Sequence, residues 1–251
     1  MSKIPVSHLI FFTWLFIGTY IASYLVFLSP FLTPPGVLGF ISVINATPSL
    51  FFFYRWTGWR TTLLVFIILA CMVTIIEGVG VLTGLPYGSF YYTDTTGIKL
   101  FGVVPWTIAF AFIPLLLGTL GIIISYVNTP WKAILLTAFS LVLIDLVLDP
   151  IFVHLGIWVW ITPGIYYGVP FSNFIGWFIT GLITTSVLLA LLKWGQGDTG
   201  RPSIFIASSL VLTMGFWSGY ALFADLVIPF ALSLIILGFL IFSILRFWST
   251  Y

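Results

Sequence analysis

A chain of 251 residues in which 61% are hydrophobic and 6% charged cannot fold as a water-soluble globule, because it lacks the polar residues to cover a surface of that size. Its mean hydropathy of +1.23 indicates a polytopic membrane protein, and its net charge of +2 follows from the placement of helix-end basic residues rather than from a nucleic-acid-binding surface. The single cysteine, Cys71, excludes an internal disulfide, and no CxxC or Cys/His cluster suggests a zinc or iron–sulfur site.

Apolar stretches long enough to span a bilayer and bounded by Pro, Gly or charge predict eight helices, at 8–28, 37–54, 61–83, 104–126, 132–155, 171–193, 203–223 and 227–247. The expected fold is therefore all-α, a transmembrane helical bundle forming one integral membrane domain over residues 1–251. The first span follows Lys3 and has no small-residue cleavage pattern before Pro30, so it reads as a retained helix. The longest polar connection is the Gln196–Pro202 turn. With eight spans, Lys3, Arg55, Arg60, Lys132, Lys193, Arg201 and Arg246 share one side and Lys99 alone takes the other. Basic residues mark the cytoplasmic side, so both termini are expected there, with Arg55 and Arg60 as plain topology determinants.

The two longest connections face outside in this scheme, Gly84 to Val103 and Gly156 to Pro170, and both are aromatic. Loops of that composition are expected to lie in the interface or fold back over a cavity. A shift of 68 positions pairs Glu77 with Asp145, Gly88 with Gly156, Phe90 with Trp158 and Tyr92 with Trp160, and a shift three residues shorter sets Val104-Pro105 beside Val169-Pro170. This repeat predicts that the third and fourth spans are related to the fifth and sixth as hairpins facing one cavity.

Four of the six acids, Glu77, Asp145, Asp149 and Asp225, fall inside or at the edge of apolar stretches, where a carboxylate is costly enough to suggest function. At ~1.5 Å rise per residue, Glu77 lies roughly 25 Å above Arg60, and Asp149 is about as far above Lys132, which places both in the outer half of the membrane. Asp145 and Asp149 are spaced i,i+4 and share a helix face, and Pro150 removes a backbone donor beside them. Asp225 either joins this cluster or ends a helix in water. Carboxyl groups in an apolar, aromatic chamber can hold one proton donor and one carboxylate together, and aromatic faces stabilise a transient carbocation. The residues by themselves point to acid–base chemistry on an apolar substrate.

Plainer readings stand beside this one. A single intramembrane acid can be structural, although three at similar depth make that account weaker, and most of the eleven Trp are expected to form an interfacial belt. His154 reads equally as an interfacial hydrogen bonder or a proton shuttle. Asn45 and Asn173 read as interhelical hydrogen bonders or as substrate contacts.

Taken in order, Glu77, Gly84-Leu-Pro-Tyr-Gly88, Tyr91-Tyr92, Val104-Pro105, Asp145-Leu-Val-Leu-Asp149-Pro150, Gly156-Ile-Trp158-Val-Trp160, Tyr166-Tyr-Gly-Val-Pro170, Asn173 and Gly176-Trp177 resemble the carotenoid hydratase family. That family includes bisanhydrobacterioruberin hydratases and carotenoid 1,2-hydratases, and the resemblance covers residues 60–180. It implies a multi-pass enzyme of the cell membrane that adds water, without a cofactor or metal, across the terminal 1,2 double bond of an acyclic carotenoid. Its partners would be the carotenoid, water, the lipid bilayer and other enzymes of carotenoid biosynthesis. Within the matched motifs, Asp149 or Glu77 is expected to protonate C2, and Asp145 to stabilise the cation at C1 or take a proton from water. Tyr87, Tyr91, Tyr92, Trp158, Trp160, Tyr166, Tyr167 and Asn173 are the candidate substrate contacts, and the rigid polyene calls for an opening toward lipid. Three alternatives are a carotenoid cyclase using the same protonation, a prenyltransferase holding Mg²⁺ on Asp145 and Asp149, and a proton-coupled transporter or retinal-type receptor. The prenyltransferase lacks a second Asp-rich motif, and the receptor lacks a mid-membrane Lys.

Overall fold

The computed structural model describes residues 6–28, 35–193 and 200–247, with side chains from residue 17 onward. Lys3, Pro30 and positions 196–199 of the Gln196–Pro202 turn lie outside them. Among the described residues there are eight α-helices: α1 Val6–Leu28, α2 Val37–Thr57, α3 Trp59–Thr83, α4 Ile108–Tyr126, α5 Pro130–His154, α6 Phe171–Leu191, α7 Ser208–Phe223 and α8 Val227–Phe247. Of these, α2 to α6 and α8, together with α7 extended through the 3₁₀ turn Ile204–Ala207, are long and apolar enough to cross a membrane.

The helix α4 is apolar on every side and buried along almost its whole length, as expected for a helix at the centre of a bundle. Around it α2 packs on α3, α4 and α7, while α5 packs on α4, α6, α7 and α8, and α1 lies against α7. Small residues let the backbones approach: a Cβ at Gly121 would come 2.2 Å from Ile206 Cγ2, and one at Gly181 would come 2.8 Å from Ala138 Cα. Polar stitches join α2 to the start of α7, where Ser49 Oγ donates to the Ile206 carbonyl at 2.5 Å and Ser49 N–H donates to Ser209 Oγ at 3.0 Å.

The aromatic connections contain short strands: β1 Phe90–Tyr92, β2 Lys99–Leu100, β3 Val104–Pro105 and β4 Trp158–Trp160. Residues 104–105 belong to a strand, so α4 starts four residues later than the sequence pattern suggested. β2 pairs with β3, and β1 pairs antiparallel with β4, Phe90 opposite Trp160 and Tyr92 opposite Trp158. The 68-residue repeat equates Phe90 with Trp158 and Tyr92 with Trp160, so each strand pairs with its own counterpart in reverse. That is the register produced by a two-fold axis passing between Tyr91 and Val159. The ladder joins the α3–α4 and α5–α6 hairpins above the bundle.

Candidate functional site

The inward stripe of α5 runs through Leu141, Ile144, Asp145, Leu148 and Asp149, the i, i+3, i+4, i+7, i+8 spacing that faces a core. Asp145 and Asp149 are 3% and 1% exposed. In the first turn of α6, Asn173 donates from Nδ2 to Asp145 Oδ2 at 2.9 Å and to Asp149 Oδ2. One amide nitrogen carries two hydrogens, and here each carboxyl group takes one. Pro150 leaves the Leu146 carbonyl without its helical donor, and the Tyr166 hydroxyl fills that vacancy at 2.8 Å. Tyr166 thereby holds the helix together where its acids lie.

On α3 the buried stripe Val65, Leu69, Val73, Glu77 and Gly80 brings the third acid inward. The Tyr92 hydroxyl donates to Glu77 Oε2 at 2.9 Å. Burial, followed by the charge of Glu77, pushes the Tyr92 phenol well above its usual range, so it keeps its proton. The Tyr87 ring is clasped between two glycines. A Cβ at Gly80 would come 2.7 Å from its Cδ2 and one at Gly176 would come 2.4 Å from its Cδ1, while its hydroxyl shares a 2.8 Å bond with Thr180 Oγ1. Edge-to-face contacts set the rings around it: Phe90 with Tyr92 at 5.5 Å, and Tyr92 with Trp158 at 5.9 Å. Each such pair contributes about 0.5–1.5 kcal/mol beyond area burial.

A cavity of about 470 Å³ lies among α2, α4, α5 and α7, with Tyr92, Pro105 and Trp158 in its lining. Its walls are largely apolar, with Leu115, Ile144, Phe152, Phe216, Trp177 and Trp217 among them, and Asp145 and Asp149 belong to the α5 wall. From α2, Asn45 lines it too and donates to Thr213 Oγ1 at 2.5 Å.

The candidate residues thus separate by position. Asp145, Asp149, Tyr92 and Trp158 line the cavity, whereas Glu77, Tyr87, Trp160 and Asn173 lie outside its lining, Glu77 behind Tyr92 and Asn173 behind the aspartates. Strand alternation buries Phe90 and Tyr92 and turns Tyr91 outward, half exposed. The Tyr167 hydroxyl accepts from Ile228 N–H at the start of α8, which ties the loop to the bundle. His154 shares a 3.0 Å bond with the Tyr220 hydroxyl, and Asp225 occupies an exposed turn at φ 54°. Neither lines the cavity. Thr213 and Trp217 gave no signal in the sequence, since one Thr and one Trp in an apolar helix have no pattern to mark them. Asn173 Nδ2 is a donor held at both aspartates, and among the described residues no group of three or more His, Cys, Asp or Glu side chains is placed to hold a metal ion together.

A family model described as carotenoid biosynthesis protein matches residues 37–240. The bisanhydrobacterioruberin hydratase of Haloarcula japonica is 35% identical over 167 residues, which cover 63% of this chain and 55% of that protein. The match therefore spans about half of the relative's length. No solved structure matches the chain significantly.

Proposed function

The chain belongs to the carotenoid biosynthesis protein family, and from that premise we propose that it is a membrane hydratase adding water to the terminal double bond of an acyclic carotenoid. The observation that carries this reading is the pair Asp145 and Asp149, bridged by Asn173 in the wall of an apolar cavity. Two carboxyl groups around one neutral donor are best accommodated with a single proton between them, which makes one an acid and the other a carboxylate. In the proposed reaction Asp149 gives its proton to the CH carbon of a trisubstituted alkene. The π electrons form the new C–H bond and leave a cation on the tertiary carbon, which Asp145 and the faces of Trp158 and Trp177 stabilise. Water then forms the C–O bond and releases a proton. Positioned acid–base groups of this kind contribute roughly 10²–10⁴-fold.

The name of the Haloarcula japonica relative supports this substrate class. A 470 Å³ cavity is of the size that holds a drug-sized ligand, so it suits the end group while the polyene lies in the bilayer. The termini are proposed to be cytoplasmic, from the distribution of basic residues. Expression in cells that make lycopene or bisanhydrobacterioruberin tests the reading by pigment mass. Hydration adds the mass of one water per modified end; an isomer of unchanged mass means cyclisation, and unchanged pigment in both hosts rejects the assignment.

A further inference from the structure

Hydration consumes a proton at carbon and releases one from water, so the site needs an acceptor as well as a donor. Glu77 is 5% exposed and contributes nothing to the cavity wall, yet a carboxyl group is costly to bury unless it is used or paired. Tyr92 links it to the cavity. Tyr92 belongs to the wall and points its hydroxyl hydrogen backward, onto Glu77 Oε2 at 2.9 Å. The residue is held from several directions, its ring by Trp158 opposite it in the ladder and by Phe90, and its main-chain carbonyl oxygen by Lys99 Nζ at 2.9 Å. A phenol whose proton already points at a carboxylate can accept a proton on its oxygen while giving up its own.

We propose that Tyr92 and Glu77 form the base arm of the reaction. As the water oxygen bonds to the tertiary cation, one O–H bond of that water breaks and its proton passes to the Tyr92 oxygen. The Tyr92 O–H bond breaks in concert and its proton passes to Glu77. The reaction leaves Glu77 protonated and Asp149 as the carboxylate, and one proton returned from Glu77 to Asp149 restores the starting state, so no proton is consumed overall. Tyr92 is then a catalytic residue that touches the reacting water. Glu77 is a positioning residue that acts through it, and Asp145 remains with the cation. This assignment rests on the hydratase reading.

The test uses full-length enzyme in membranes, in D₂O, with whichever of lycopene or bisanhydrobacterioruberin the wild type hydrates, and follows two quantities: hydrated product and carbon-bound deuterium in recovered substrate. Without the base arm, the cation still forms and reverts by losing a proton. Tyr92→Phe and Glu77→Gln should therefore lower hydration by roughly 10²-fold or more while recovered substrate still gains deuterium, and the double variant should be no slower than Tyr92→Phe alone. Asp149→Asn should lose both hydration and exchange. The carotenoid absorption band of each purified variant checks that it is folded and loaded, and should Glu77→Gln fail to insert, the exchange-to-hydration ratio of Tyr92→Phe decides by itself. Tyr92→Phe hydrating at the wild-type rate, or losing exchange in proportion to hydration, would overturn the assignment. Absence of hydrated product from the wild type would instead remove the hydratase reading beneath it.

Discussion

Replacing Asn173 with Leu removes the donor shared by Asp145 and Asp149 while keeping the same branched skeleton of heavy atoms, so the perturbation leaves no cavity and acts mainly through the lost hydrogen bonds. Two hydrogen bonds are lost. In the proposed state one partner is a carboxylate, for which a bond contributes about 1.5–3 kcal/mol, and the other is a neutral acid, for which it contributes about 0.5–1.5 kcal/mol. Together they amount to roughly 2–4.5 kcal/mol, and with every 1.4 kcal/mol equal to a factor of ten, hydration should slow by about 30- to 1600-fold if the loss falls on the transition state. Asn173 does not line the cavity, so carotenoid binding should stay within a few-fold of wild type. The assay is initial-rate hydration in membranes, with bound pigment measured by absorption on the purified variant. A correctly inserted Asn173→Leu enzyme working within threefold of the wild-type rate would refute the reasoning, because the pair would then need no bridge to sort acid from carboxylate.

Two further outcomes probe fold and topology. Gly176→Ala drives a Cβ to 2.4 Å from Tyr87 Cδ1, an overpacking of about 1–3 kcal/mol that should lower the apparent thermal midpoint by roughly 2–12 °C. Gly238→Ala, with nothing within 4 Å, is the control, and equal midpoints for the two would show that the clasp around Tyr87 is loose. Cysteines at Ser89 and Thr162, both exposed, in a Cys71→Ser background should react with an impermeant thiol reagent from outside the cell; labelling from the cytoplasmic side alone would invert the proposed topology.

The helices were legible because bilayer-length apolar runs have few other meanings, and the shared face of Asp145 and Asp149 follows from their spacing alone. The β1–β4 ladder was not, because three-residue strands inside aromatic loops leave no periodicity to read. The repeat did align the two segments, but an alignment carries no direction of pairing, and only the fold shows Tyr92 opposite Trp158 instead of Trp160. Tyr166 looked like a substrate contact and lies where Pro150 leaves a carbonyl open; the vacancy was visible in the sequence, the residue that fills it was not. Depth along a helix put Glu77 level with the aspartates, yet depth says nothing about what links a side chain to a cavity, and that linking group is Tyr92. The clasp of Gly80 and Gly176 around Tyr87 depends on two helices distant in sequence and has no local signature.

In the proposed reaction a carboxylic acid in the cavity wall protonates an alkene carbon. Conversion of the carotenoid in D₂O by wild type and by Asp149→Asn, read by mass spectrometry after the hydroxyl deuterium has been exchanged back to hydrogen, tests it most directly. One deuterium should be retained on carbon for each hydrated end with the wild type, and hydration should fall roughly 10²–10⁴-fold with Asp149→Asn, pigment binding unchanged. A hydrated product with no deuterium on carbon, or an inserted Asp149→Asn enzyme that hydrates at the wild-type rate, would contradict it.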